Sequence, residues 1–467
     1  MTHSPLNPAS ATAPSSPPGA APPPSTTDAP AFAPGRETGA RPGRARPLAG
    51  SGLGLPIALL VGMVGATTLI VLDAAAGHSG VIPRQPGIAN YLNGVGERLG
   101  YDTFLLAMLG MTVCYAGIVA LARRLTTRFA VGAIVLLHAI VFAGPILLSQ
   151  DPFSYVAYAR MGVLHGINPY LHGPYAAPHD PIFHFVGPDW RSTATVYGPL
   201  FTLASYPLAP LGVNGALWGL KLFAVAASLG TVWLVWRCAR LLGRDPLVPA
   251  LLLGLNPILL IYDVGGAHND LEMGFLMMLG VWLTLRGRDA VGAASVVAGA
   301  AVKATAVAVL PFMLLARRQV GLLTGTLIAG SITAVVAFAV FGAHSLDFVS
   351  ALQKQQSFVS TDSFPNEVAH LFGLAGVFPS DRIFLRLGAA AVVIYLLWRV
   401  WRGYDWISGA TWALLAVAVS TTWLLAWYVM WSLPLAVIAR DRRALYGALA
   451  VTGLFFVHQM SPLFTPV

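Results

Sequence analysis

Apolar runs of about twenty residues recur along this chain, separated by short connections that carry arginine. A helix of that length measures roughly 30 Å, the depth of a bilayer's hydrocarbon core. Backbone in hydrocarbon must satisfy its own polar groups, so runs of this kind fold as helices. Only 10% of the residues are charged and 56% are hydrophobic, whereas a soluble domain carries about 25% charged residues. The chain therefore reads as an all-α, polytopic membrane protein of about 13 transmembrane helices, with further short helices on its outer face.

The spans fall at Gly54–Asp73, Thr103–Ala122, Phe129–Leu148, Gly215–Trp236, Leu247–Tyr262, Leu271–Leu285, Val320–Phe341, Ile383–Trp401, Ile407–Thr422, Leu424–Ala439 and Leu445–Ser461. Arginines punctuate alternate connections: Arg123, Arg124 and Arg128, then Arg237, Arg240 and Arg244, then Arg399 and Arg402, then Arg440, Arg442 and Arg443. Basic residues mark the cytoplasmic side, which places the N-terminus in and the C-terminus out. The net charge of +9 follows from this pattern and does not call for nucleic acid. Residues 1–50, rich in Pro, Ala and Ser, read as a disordered cytoplasmic tail. Residues 51–467 form one transmembrane domain. Cys114 and Cys238 sit inside apolar spans and read as packing residues, with no disulfide or metal implied.

Ala290–Ala316 is an exception to single crossings. Arg286 and Arg288 precede it, and Arg317 and Arg318 follow it. A single crossing would put these basic pairs on opposite sides. The pattern instead predicts two short helices that turn near Lys303, below the outer surface, in a cavity lined by protein. An ammonium at that depth is costly and points to function. With helix N–H groups nearby it would suit a lipid phosphate. The alternative is a lysine that snorkels or pairs with a carboxylate for folding.

Polar residues collect on the expected outer face. The first large outer loop, residues 149–199, opens with Asp151-Pro152, which reads as a helix start with Asp151 as the cap. Apolar residues then follow at helical spacing, which predicts a helix lying along the membrane surface. Asp151 at the mouth of a cavity can act as a base, with Arg160 and Arg191 as further cations. Asn168-Pro169-Tyr170 and Tyr197-Gly198-Pro199 are turn signals whose aromatics can also stack on a sugar. His268-Asn269-Asp270 fits hydrogen bonding to sugar hydroxyls, or helix capping, better than a metal site, because adjacent residues point in different directions. The run Trp423, Trp427, Tyr428 and Trp431 reads as an interfacial aromatic belt that can also line a lipid groove. The second outer loop spans residues 343–381. No nucleotide-binding motif is present. Outer-face chemistry would therefore need an activated substrate carried by a lipid.

These pieces resemble the GT-C class of membrane glycosyltransferases, and within it the actinobacterial polyprenol-phosphate-mannose-dependent α-1,6-mannosyltransferases of the MptB type. The matching residues are Asp151-Pro-Phe-Ser-Tyr155, Gly166-Ile-Asn-Pro-Tyr170, Tyr197-Gly-Pro-Leu200, Gly266-Ala-His-Asn-Asp270, the stretch at Lys303, and Trp427-Tyr428. The resemblance implies an inverting transfer of mannose from polyprenyl-phosphate mannose to a lipid-anchored glycan of the lipomannan type. It also implies an active site on the extracytoplasmic face of the plasma membrane, with Asp151 as general base and no cofactor. Tyr155, Asn168, Tyr170, Tyr197, His268, Asn269, Asp270, Trp427 and Tyr428 would hold sugar or acceptor. Lys303, Arg160 and Arg191 would hold the donor phosphate. GT-C enzymes often pair two acidic residues in the first loop. Here Pro152 follows Asp151, which leaves Asp180 or Asp189 as the partner. A transporter or flippase of a lipid-linked sugar would share the cavity and the lysine, but would need no base; a GT-C enzyme using another polyprenyl-phosphate sugar is the other alternative.

Overall fold

The computed structural model describes residues 54–77, 87–96, 100–355, 357–360 and 363–464. The N-terminal tail lies outside them. Among the described residues the fold is all-helical, with no strands. The helices are α1 (Gly54–Ala76), α2 (Tyr101–Ala120), α3 (Thr127–Ala143), α4 (Asp151–Leu164), α5 (Pro188–Arg191), α6 (Pro199–Ser205), α7 (Gly212–Leu241), α8 (Leu247–Gly254) and α9 (Asp270–Leu285). They continue with α10 (Asp289–Val302), α11 (Leu310–Arg317), α12 (Val320–Phe341), α13 (Phe348–Gln355), α14 (Phe364–Leu371), α15 (Asp381–Trp401), α16 (Trp406–Ser420), α17 (Val429–Ala436) and α18 (Arg442–Phe464).

Five of the apolar stretches are long enough to cross a membrane: Gly54–Ala76, Tyr101–Ala120, Pro199–Leu241, Val320–Ser345 and Asp381–Trp401. The outer surface of α12 shows how such a helix meets lipid. Leu327, Ile328, Ile332, Val335 and Phe338 are all exposed, an apolar face that only hydrocarbon would cover. The other expected spans are shorter or broken. Leu247–Tyr262 is interrupted at Asn256-Pro257 and resumes as a π-helical turn over Leu259–Val264. Leu424–Ala439 begins as a single 3-10 turn, Ala426–Tyr428, and only then becomes α17, which contains Pro434.

The turn at Lys303 is present. Lys303 has extended backbone (φ −146°, ψ 125°) and ends α10. A 3-10 segment, Ala304–Val309, then leads into α11. The far ends of the two arms are clasped together. Arg317 Nε and Nη2 donate to Asp289 Oδ1 and Oδ2 at 3.2 and 3.3 Å. The start of α10 and the end of α11 therefore lie at the same end of the bundle, and the pair is a hairpin that enters and returns. Fourteen residues rise about 21 Å, so its tip stops inside the protein.

The other end of the bundle is occupied by the segment from residue 149 to 211. Helix α4 was expected on a surface, but Pro152 through Ala159 and Met161 are buried. The reason is non-local: α6, the Tyr206–Leu211 turn and α7 pack around it. Its small residues permit the approach; a Cβ at Gly162 would lie 2.5 Å from Cζ of Tyr206. A bond from the loop to the end of α12 completes the roof, with Asn168 Nδ2 donating to the Phe341 carbonyl at 2.8 Å.

Candidate active site

The site forms where helices break. Leu147 N–H donates to the Gly265 carbonyl at 2.8 Å, which fixes the approach to α4 against the 263–269 turn. Leu148 takes a positive φ of 54°, and the chain then turns into the helix. Asp151 is the first helical residue, and the cap position belongs to Gln150, whose side chain makes no capping bond. The Asp151 carboxylate therefore does not close the helix end. Its Oδ2 lies 3.5 Å from His268 Nδ1, and 20% of the side chain is exposed. Tyr155, one turn along α4, meets Tyr197 edge-on at 4.7 Å and Phe201 at 4.8 Å.

The residues around His268 are shaped by glycine and by strain. A Cβ on Gly266 would sit 2.6 Å from Cδ2 of His268, so only glycine admits the ring. Ala267 has φ 48°, a left-handed conformation that costs on the order of 1 kcal/mol or more and persists where the surroundings impose it. The turn holds the imidazole fully buried and stacked on Trp427 at 3.7 Å and 18°. Asn269 Oδ1 receives a long hydrogen bond from Tyr155 Oη at 3.5 Å. Asn269 occupies the cap position of α9 but its side chain does not cap.

Asp270, the next residue, is fully buried. It accepts from Lys303 Nζ at 2.8 and 2.6 Å and from Trp431 Nε1 at 2.6 Å. The ammonium also lies 4.9 Å from the Tyr428 ring and 5.7 Å from that of Trp431, and these two rings stack at 3.9 Å. Lys303 thus pairs with a carboxylate and faces two aromatic surfaces, a favourable setting for a cation in low dielectric. Its side chain remains 17% exposed. The hairpin tip is pinned to the first loop by Gly198 N–H donating to the Val302 carbonyl at 3.0 Å. A Cβ at Gly198 would collide with the Ala301 carbonyl oxygen, so this close approach needs glycine.

His268 touches Asp151 and, two residues on, Asp270 touches Lys303. One turn of chain therefore joins the acid and the cation. Around it lie buried polar atoms without a protein hydrogen-bond partner: both ring nitrogens of His268, Nδ2 of Asn269, both oxygens of Asp263 and Oε2 of Glu272. Buried polar groups are ordinarily paired, so such a cluster marks a place built to meet a polar ligand or water. Among the described residues, no group of three His, Cys, Asp or Glu side chains is gathered as a metal site.

The structure brings together Asp151, Tyr155, Tyr197, His268, Asn269, Asp270, Lys303, Trp427 and Tyr428. Five other candidates are engaged elsewhere. Arg160 Nε donates to Asp180 at 2.8 and 3.1 Å, and its Nη1 donates to the Ala209 carbonyl. Arg191 donates to the Val186 and His184 carbonyls and lies over Phe183. Asn168 and Tyr170 knit the loop, the latter donating from Oη to the Tyr197 carbonyl at 2.8 Å. Asp180 is spent on Arg160 and His165. Burial alone would push its carboxyl up, but hydrogen bonds from Arg160, His165 and the Ile182 amide together hold it below its ordinary value. Trp431, Asp263 and Glu272 were not singled out as site residues from sequence. Trp431 had a readable signal, since it follows Tyr428 by three residues on one helix face.

These features define a polytopic, all-helical membrane protein with a recessed ionic and aromatic site. The family described as alpha-(1->6)-mannopyranosyltransferase, N-terminal domain, matches residues 59–319, more than half of the chain. That range includes Asp151, His268 to Asp270 and Lys303, while Trp427, Tyr428 and Trp431 lie beyond it. Alpha-(1->6)-mannopyranosyltransferase A of Mycobacterium tuberculosis is 30% identical over 393 residues, covering 76% of this chain and 75% of the relative. The protein of the same name from Corynebacterium glutamicum is 32% identical over 178 residues, covering 37% of this chain and 36% of its own. A probable alpha-(1->6)-mannopyranosyltransferase of Mycolicibacterium smegmatis is 31% identical over 198 residues, covering 39% and 35%. No solved structure matches. The chain belongs to the alpha-(1->6)-mannopyranosyltransferase family.

Proposed function

We propose that the protein transfers mannose from polyprenyl-phosphate mannose to a hydroxyl of a lipid-anchored glycan, extending an α-1,6-linked mannan of the lipomannan type. The reaction runs at the extracytoplasmic face of the plasma membrane. The observation that carries this reading is the convergence of Asp151, His268, Asp270 and Lys303 within one recess, amid unpartnered buried polar atoms. The arginines that punctuate alternate connections, read by the positive-inside rule, support a cytoplasmic face away from this recess.

In the proposed reaction Asp151 takes the proton of the acceptor hydroxyl as its oxygen attacks the anomeric carbon. The bond between that carbon and the phosphate oxygen breaks, and its electron pair leaves with polyprenyl phosphate. Displacement in one step inverts the centre, so an α-linked product requires a β-configured donor. His268, stacked on Trp427, presents Nδ1 3.5 Å from the Asp151 carboxylate. Lys303 directs two of its bonds to Asp270 and uses a third N–H for the departing phosphate, whose charge it offsets. Trp427 and Tyr428 offer ring faces to the sugar and the first isoprene units.

The test is transfer from labelled polyprenyl-phosphate mannose in membranes containing the protein. Asp151→Asn should lower the rate by about 10²–10⁴-fold while the protein still accumulates and unfolds at the same temperature. An Asp151→Asn protein with full activity would refute the assignment. Passage of labelled lipid across the bilayer, with no new glycosidic bond, would mean a transporter.

A further inference from the structure

A second polar concavity lies where the two large loops meet. It has a volume of about 220 Å³ and is lined by Tyr170, Ser192, Thr193, Asp347, Ser350 and Lys354, among others. Its walls come from distant parts of the chain and are tied across the seam, with Lys354 Nζ donating to Thr193 Oγ1 at 3.0 Å. Its first-loop wall is tied toward the recess by hydrogen bonds: Tyr158 Oη donates to the Thr193 carbonyl at 2.8 Å, and Tyr170 Oη to the Tyr197 carbonyl at 2.8 Å. Tyr197 in turn meets Tyr155, one turn from Asp151.

We infer that this concavity is a subsite for a neutral oligosaccharide, and that it holds the part of the acceptor glycan remote from the reacting hydroxyl; the second half of this inference rests on the function proposed above. The lining chemistry selects the class. Asp347 pairs with His344 and Lys354 donates to Thr193, yet each keeps further lone pairs or N–H groups, and with the exposed Ser192 and Ser350 hydroxyls they match a polyol, which both donates and accepts hydrogen bonds. A phosphate would meet Asp347, and an isoprenoid tail would strand the polar lining. The volume is smaller than the roughly 300–1,000 Å³ of pockets that enclose a whole ligand. It therefore takes one or two sugar rings of a longer chain, with the remainder outside.

Two measurements on the full-length protein in detergent test this. The first is saturation-transfer NMR with α-1,6-linked mannotetraose, which needs no turnover. The second is the ratio of kcat/KM for tetramannoside to that for monomannoside acceptors. In Asp347→Ala/Lys354→Ala, and separately in Ser192→Trp, which fills the concavity from its exposed rim, the NMR signal should be lost. The ratio should fall about ten-fold, the scale of losing one charge-assisted hydrogen bond. A merely structural role would lower both acceptors alike and leave the ratio unchanged, which overturns the inference. So does wild-type protein that gives no saturation transfer. Wild-type protein that binds mannotetraose but transfers nothing would retain the subsite as a saccharide site and reject the transferase reading.

Discussion

The pair of Lys303 and Asp270 makes a quantitative claim about stability. At 2.6 Å, and with an effective dielectric of about 20, the gross attraction is about 6 kcal/mol. Desolvation of both ions consumes most of that, so the pair itself adds little net stability. Removing one partner is different, because it leaves a buried charge uncompensated at a cost of about 3–5 kcal/mol. The lower end applies here, about 3 kcal/mol for each single change. Asp270 would retain Trp431 as a donor, and Lys303 would retain two ring faces and its partial exposure. Lys303→Met and Asp270→Leu should each show this loss in equilibrium unfolding in mixed micelles. The double variant should cost at least about 2 kcal/mol less than the sum of the singles, because no orphan charge remains. All three should lack transferase activity. Additivity of the two single changes within about 0.5 kcal/mol would refute the argument that these groups are buried and mutually dependent.

Other outcomes follow from the same geometry. His268→Phe keeps the stack on Trp427 but removes the nitrogen beside Asp151, so kcat should fall by about 10-fold or more with the unfolding midpoint nearly unchanged. Gly198→Ala forces the first loop away from the Ala301 carbonyl; it should cost about 1–3 kcal/mol and lower activity, read by thermal unfolding and by transfer assays. Asp180 has a folded value below the ordinary 3.8, so its stabilisation is fully present above that value and fades as pH falls through the folded one. Segment 174–191 should therefore keep its shape at pH 7 and loosen only in acid, whereas Asp180→Asn should raise its amide exchange at pH 7. Breaking the clasp with Asp289→Ala should cost less than about 1 kcal/mol, since both partners are partly exposed and such pairs are weak.

Some of this was legible before any coordinates. The basic residues on both sides of Ala290–Ala316 forced a return, and the Asp289–Arg317 clasp is the physical form that return takes. Lys303 in an apolar stretch calls for a counter-charge, either a lipid phosphate or a carboxylate; the structure supplies Asp270. Arg160 was not legible, because its partner Asp180 lies twenty residues away and spacing carries no information about a loop that folds back. Helix α4 read as a surface helix because its cover arrives from residues 199–241. The half-length of α8 was signalled by Asn256-Pro257, since a residue before proline avoids helical backbone, but an apolar window masks that signal. The π-helical turn over Leu259–Val264 has no comparable signature.

The re-entrant hairpin has a consequence for biogenesis. Its extended tip at Lys303 exposes backbone and an ammonium that hydrocarbon cannot accept. Its carboxylate partner is made earlier, in α9, but Trp431 and Tyr428 are synthesised more than a hundred residues later. The hairpin can take up its contacts with Asp270 and Gly198 as it emerges from the ribosome, but its aromatic walls are complete only once α17 exists. Truncation before residue 428 should therefore leave these two arms susceptible to quality-control proteases even though every preceding helix has been made.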